Sequence, residues 1–155
     1  MIRTYVPWTA AASAATAALG SVASRDTSSV WYRRLRKPVI QPPAVVFPLV
    51  WTLLYSDIAV TSAVALDRLE DDETGGYRGA LAANLILNAS WSWVFFKAHR
   101  LFPAILVAGA LSASSWDLVN RTLRGDQRAG WALLPYAAWC SFATVLTTAI
   151  WWRNR

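Results

Sequence analysis

Five long apolar runs alternate with short polar or charged breaks along the chain, at about residues 5–23, 44–66, 77–96, 101–121 and 130–152. Each holds close to the ~20 residues that a helix, rising 1.5 Å per residue, needs to cross ~30 Å of hydrocarbon. The pattern predicts an all-α integral membrane bundle of five transmembrane helices, one domain over residues 1–155. Between the first two runs lies a basic, proline-rich stretch within residues 24–43, carrying Arg33, Arg34, Arg36, Lys37, Pro38, Pro42 and Pro43. It cannot span a bilayer and is placed at the surface, over the start of the second helix. The first run has only Arg3 ahead of it and Pro7 near its first turn, and reads as a membrane helix rather than a cleaved leader. Its Ala10/Ala14/Ala18 and Ala11/Ala15 spacings are small-xxx-small patterns that predict close helix approach. The acidic stretch Asp67 to Gly76 and the triplet Arg124-Gly125-Asp126 read as connectors.

Composition sharpens this picture. Hydrophobic residues make up 55% of the chain, and the formal charge is +6. The arginines flank apolar runs instead of forming a stripe with interleaved aromatics, so nucleic acid is excluded as a partner. The single cysteine, Cys140, admits no internal disulfide, and one histidine, His99, without a cluster of acids or thiols indicates no metal site. No nucleophile–base pair or general acid/base pair is visible, so no catalytic residue is assigned. Basic residues divide nine to six: Arg25, Arg33, Arg34, Arg36, Lys37, Lys97, Arg100, Arg153 and Arg155 on the side of the loop, against Arg3, Arg68, Arg78, Arg121, Arg124 and Arg128. The bias predicts a cytoplasmic loop side, with the N-terminus outside and the C-terminus inside.

Candidate binding chemistry comes from aromatic and amide groups inside the runs. Of the ten tryptophans, Trp8, Trp131, Trp151 and Trp152 lie near run ends, where a headgroup-level belt accounts for them. Trp51, Trp91 and Trp139 lie inside, where an indole N–H has no water and needs a partner. Counted from the positively charged side, Trp51, Asn88 and Ala143 share a depth of roughly 10–14 Å. Trp139 falls one turn deeper, and Tyr55 one turn beyond Trp51 on the same face. Asn84, Asn88, Trp91 and Phe95 form one stripe at helical spacing, turned toward other helices. These groups predict either an aromatic-walled cavity beneath the loop, suited to a flat hydrophobic ligand, or a plain aromatic core.

Four motifs carry a family likeness: Trp31-Tyr32-x-x-Leu35-x-Lys37-Pro38 with Pro42-Pro43, Phe47-Pro48-x-Val50-Trp51-Thr52-x-Leu54-Tyr55, Leu87-Asn88-x-x-Trp91 with Phe95-Phe96, and Pro135-Tyr136-x-Ala138-Trp139 with Phe142-Ala143-Thr144. In order and spacing they resemble the translocator protein family, also called tryptophan-rich sensory proteins or peripheral benzodiazepine receptors. The resemblance implies a five-helix bundle, often a homodimer, that binds protoporphyrin IX, haem or benzodiazepine-type ligands, and sterols in some members, with no cofactor required. It puts Trp51, Asn88, Trp139 and Ala143 in the ligand pocket and makes the first loop a lid, here with Trp31, Tyr32, Lys37, Pro42 and Pro43. Tyr55, Asn84 and Trp91 join the pocket through motif and stripe together. The implied function is a receptor or sensor in the bacterial cell membrane; light-dependent porphyrin breakdown through Trp51 and Trp139, or transport with Asp57 as an intramembrane carboxylate, are the alternatives. Asn84 stands where the family often has glutamine, Ser92-Trp93 replaces a common proline, Thr147 replaces an asparagine, and the terminal Ile150-Trp151-Trp152-Arg153 lacks the tyrosine of a sterol-recognition pattern.

Overall fold

A computed structural model describes residues 4–155, so Arg3, one of the charges counted above, lies outside the described residues. Six α-helices follow in order: α1 (Val6–Ser24), α2 (Val30–Arg34), α3 (Val46–Arg68), α4 (Asp71–Ser92), α5 (Leu101–Gly125) and α6 (Gln127–Asn154). Among the described residues there is no strand. Four stretches are long and apolar enough to cross a membrane: Val46–Arg68, Asp71–Lys97, Leu101–Gly125 and Gln127–Asn154. The expected first span is α1, a 19-residue helix rich in alanine that packs lengthwise against α3 and α4. The loop after it is not wholly extended: Arg25–Ser28 makes a 3₁₀ turn and α2 is a short helix, capped by Ser29, whose Oγ accepts from Tyr32 N–H.

The alanine stripes of α1 do not make its helix contact. Ala14, Ala18, Ala11 and Ala15 face outward, and the packed face is Thr9, Ser13, Thr16 and Ala23. Alanine is at home against lipid tails, whereas a hydroxyl there needs a partner. The Thr9 hydroxyl finds one by donating to the Ala59 carbonyl of α3 at 2.8 Å.

The acidic connector is shorter than its charges suggest. Asp71, Asp72 and Glu73 form the first turn of α4, where the positive end of the helix dipole favours carboxylates. The glycine pair Gly75-Gly76 is already helical. Likewise α5 continues through Arg124 and Gly125, and Asp126 alone separates it from α6. The Asp126 carboxylate caps α6 by accepting from Ala129 N–H at 2.8 Å, and pairs with Arg68 of α3 at 3.2 Å. Gly125 is needed there, since a Cβ would lie 2.8 Å from the Ala65 carbonyl oxygen.

The core runs along the interior faces of α3 to α6. Leu54, Ile58 and Leu66 meet Leu81 and Leu85, Leu111 and Leu118, and Leu133 and Ala137. A second cluster lies at the loop end, built on Trp91, Phe95, Ala104, Ala108, Leu146 and Ile150. Tyr77 joins three helices near the other end, its hydroxyl bonded to Ser62 of α3 at 3.1 Å and Thr122 of α5 at 2.9 Å.

Candidate functional site

Beneath the first loop, aromatic rings form two contacting groups. Trp51 of α3 stacks on Tyr55 one turn along, with centroids 5.6 Å apart, and meets Trp139 of α6 edge-on at 6.4 Å. Phe47 packs edge-on to Trp139 at 6.0 Å, and Phe142 tilts against the same indole at 5.3 Å. Trp91 of α4 stacks on Phe95 at 5.7 Å and meets Phe96 edge-on at 6.1 Å. Trp51 packs against both core clusters and is the hinge between these two groups of rings. Ala143 is buried one turn beyond Trp139.

The loop closes over this array through its own aromatics. Trp31 sits edge-on to Phe95 at 5.8 Å and stacks flat on His99 at 4.2 Å; Tyr32 packs against Phe96 at 5.8 Å. The Tyr32 hydroxyl accepts from Gln41 Nε2 at 3.1 Å. Burial pushes that phenol above its ordinary pKa, and the Gln41 bond offsets part of the rise. Lys37 is spent within the loop, its Nζ donating to the Tyr32 carbonyl at 2.8 Å and lying 4.5 Å from the Tyr32 ring centre. Pro42 is half-buried and Pro43 exposed at the approach to α3. A polar tie fastens the loop to the end of the chain: Asn154 Oδ1 accepts from Arg36 N–H at 2.9 Å while its Nδ2 donates to the Arg36 carbonyl at 3.0 Å.

At this end of α4 the helical ladder widens. Residues Trp93–Lys97 form a π turn, the Ala98 N–H donates to the Trp93 carbonyl at 2.9 Å, and His99 adopts φ 55°. This is the segment where Ser92-Trp93 stands in place of a proline, and the wider turn brings both Phe95 and Phe96 against the loop.

The amide stripe is real as a buried face: Asn84, Asn88, Trp91 and Phe95 are all buried. Its polar members, however, are tied into the protein. Tyr55 OH donates to Asn88 Oδ1 at 2.9 Å, Asn88 Nδ2 donates to Tyr136 OH at 3.1 Å, and Tyr136 OH donates to Asn84 Oδ1 at 2.6 Å. Asn84 Nδ2 then donates to the hydroxyls of Ser114 at 3.2 Å and Ser115 at 3.1 Å. This relay runs in one direction and links α3, α4, α5 and α6 where no water competes. Asn84 thus serves helix association, while Asn88 and Tyr55 stand at the edge of the aromatic array.

Sequence reasoning placed Tyr136 in a motif and gave it no task, although it is the centre of the relay. The signal was present: a phenol in mid-span, like an indole, requires a partner. Phe47, Phe142 and Gln41 also belong to the array without having been assigned to it. These rings stand where the sequence allows either an aromatic-walled cavity or a plain aromatic core.

Two buried polar atoms here have no hydrogen-bond partner among the described residues, the donor Trp91 Nε1 and the acceptor Gln41 Oε1. No group of histidine, cysteine or carboxylate side chains suited to a metal occurs among the described residues. Asp57 is half-buried on α3 and stands apart from the aromatic array.

Comparison with known proteins identifies the family. The family model for the TspO/MBR family matches residues 8–153. A tryptophan-rich sensory protein from Cereibacter sphaeroides is 34% identical over 140 residues, covering 88% of this chain and 82% of its own. Protein CrtK of Rhodobacter capsulatus is 28% identical over 141 residues, covering 90% and 88%. The tryptophan-rich protein TspO of Bacillus cereus is 26% identical over 120 residues, covering 77% and 78%. With a family match along nearly its whole length, this integral membrane protein belongs to the TspO/MBR family.

Proposed function

We propose that this protein is a membrane receptor of the sensor type that holds a flat, hydrophobic tetrapyrrole, protoporphyrin IX or haem, among the rings beneath the first loop. The observation that carries the reading is the position of Trp51, in contact with Tyr55 and Trp139 and packed against both core clusters. Aromatic faces stack on a planar macrocycle, and apolar walls bury its edge. Two polar atoms support this reading: Trp91 Nε1 and Gln41 Oε1 are buried and have no hydrogen-bond partner among the described residues, as groups awaiting a polar contact are. Entry requires the rings to part, and the loop above them is the element that moves. Trp51, Tyr55, Trp91, Trp139, Asn88 and Ala143 then line the site, with Asn84 behind them. Arg33, Arg34 and Arg36 are exposed on the lid, where propionates would emerge.

In this reading α1 completes the set of five spans, and the loop side faces the cytoplasm of a bacterial cell, an orientation that follows the basic bias of the ends. The open α4 face at Gly75 and Gly79, where an added Cβ meets nothing within 4 Å, suits the seam of a homodimer.

Titration of protoporphyrin IX into the protein in lipid nanodiscs, followed by tryptophan fluorescence, tests the site. Saturable quenching is expected, with affinity weakened about tenfold or more in Trp51→Phe/Trp139→Phe, equivalent to ~1.4 kcal/mol. Quenching that never saturates, or that is identical in the double variant, overturns the reading.

A further inference from the structure

A groove of about 420 Å³ runs along the outer face of α6, away from the aromatic array, lined by Thr144, Val145, Thr148, Ala149, Trp152 and Arg153. These positions recur at helical spacing and share one face. The two threonines offer it methyl groups rather than hydroxyls: Thr144 Oγ1 donates back to the Cys140 carbonyl at 3.0 Å and Thr148 Oγ1 to the Thr144 carbonyl at 2.8 Å. The trough is therefore apolar until its end, where an exposed indole and a guanidinium close it.

From Thr144 to Arg153 the helix rises ~14 Å, the depth of one leaflet in a ~30 Å hydrocarbon core. The two terminal arginines differ. Arg155 lies over the Trp152 ring at 3.3 Å and over Trp151 at 5.6 Å, so its charge is engaged by aromatic faces. Arg153 is exposed and makes no ion pair among the described residues.

Charge around the mouth is one-sided. The loop end carries nine basic residues, Arg25, Arg33, Arg34, Arg36, Lys37, Lys97, Arg100, Arg153 and Arg155, and by sequence a single acid, Asp26. The opposite end balances its arginines with Asp67, Glu70, Asp71, Asp72, Glu73, Asp117 and Asp126. The loop end thus carries about +8 against a net +6 for the whole chain, at the level of the headgroups into which the groove opens.

We propose that this groove is a binding site for one anionic phospholipid, an acyl chain lying along Val145 and Ala149 and the phosphate paired with Arg153. A second copy of the chain is a poor occupant, because a two-fold contact would bring another Arg153 into the same cationic cluster. A neutral sterol would leave the guanidinium unanswered. The site is separate from the tetrapyrrole site and does not depend on it.

Brominated acyl chains quench a tryptophan they touch, which supplies the test. The full chain is placed in phosphatidylcholine nanodiscs containing either brominated phosphatidylglycerol or brominated phosphatidylcholine at the same mole fraction. The Trp152 contribution is taken as the difference from Trp152→Phe. Quenching at Trp152 is expected to be at least about twofold greater with the anionic lipid. That excess disappears in Arg153→Gln and persists in Arg128→Gln, at the other end of α6. Native mass spectrometry of wild type and Arg153→Gln counts retained phosphatidylglycerol independently of fluorescence, and fewer retained lipids in the variant are expected. Equal quenching by the two headgroups overturns the proposal. So does an excess that survives Arg153→Gln, which would assign it to the general cationic field, or one removed by cholesterol but not by unbrominated phosphatidylglycerol.

Discussion

Replacing Tyr136 with phenylalanine removes one oxygen atom and no carbon, yet that oxygen is both acceptor for Asn88 and donor to Asn84. Its ring is fully buried, as are both amides, so water cannot take the place of either lost bond. In a soluble core, orphaning a buried polar group costs about 1–3 kcal/mol. Within a bilayer the unfolded helices find other partners, and single interhelical bonds average ~0.6 kcal/mol with an upper value of ~1.7 kcal/mol. Two bonds broken together therefore predict a loss of about 1–3 kcal/mol. Tyr55→Phe is the calibrating variant. It breaks one bond, and Asn88 keeps its contact with Tyr136, so about half the loss is expected. Equilibrium unfolding in mixed micelles, driven by increasing mole fraction of sodium dodecyl sulfate and read by near-ultraviolet circular dichroism, measures both. A Tyr136→Phe protein within ~0.3 kcal/mol of wild type would refute the relay as a source of stability, as would a larger loss for Tyr55→Phe. A double-mutant cycle with Asn84→Ala adds a further check, since members of one network are not additive.

Other substitutions probe the helix ends. Gly125→Ala places a methyl group 2.8 Å from the Ala65 carbonyl oxygen and is expected to cost about 1–3 kcal/mol in the same unfolding assay, whereas Gly109→Ala, with nothing within 4 Å, is expected to be neutral or to gain up to ~1 kcal/mol. Asp126→Asn keeps the cap of α6 and loses only the pair with Arg68, so it should cost less than ~1 kcal/mol; Asp126→Ala loses both and should cost about 1–2 kcal/mol, and the order of the two variants is the check. Asn154→Ala unfastens the loop, and hydrogen exchange at the Arg36 amide should speed up about tenfold, matching ~1.4 kcal/mol; unchanged exchange would refute the tie.

The helices of the bundle were readable because a span must be long and apolar, and both properties are local to the chain. Their ends were less so. Residues 71–76 look like a connector by charge and glycine content, yet the helix dipole draws the acids into the first turn of α4. At residues 124–125 the deciding fact is tertiary: a glycine that seems to mark a turn is a contact point between α5 and α3. The aromatic array was legible through Trp51, Trp91 and Trp139, since an indole in mid-span is conspicuous. Depth counting brought Trp51 and Asn88 to one level, and Tyr55 joins them by stacking on one and bonding the other. What spacing could not supply was rotation about each helix axis, which separates Asn84, bonded across to α5 and α6, from a group that faces the rings. The outward turn of the α1 alanines has the same origin: periodicity identifies a stripe, and only the neighbours decide which stripe is inside.

Arg36 and Asn154 are 118 positions apart in the chain, so the loop over the aromatic rings is latched to the last turn of α6. A fluorescent reporter, an immobilisation peptide or a crystallisation chaperone joined after Arg155 is attached one residue from that latch. For the ligand proposed above, comparison of such a fusion with a protein carrying its handle elsewhere measures what the latch contributes to affinity.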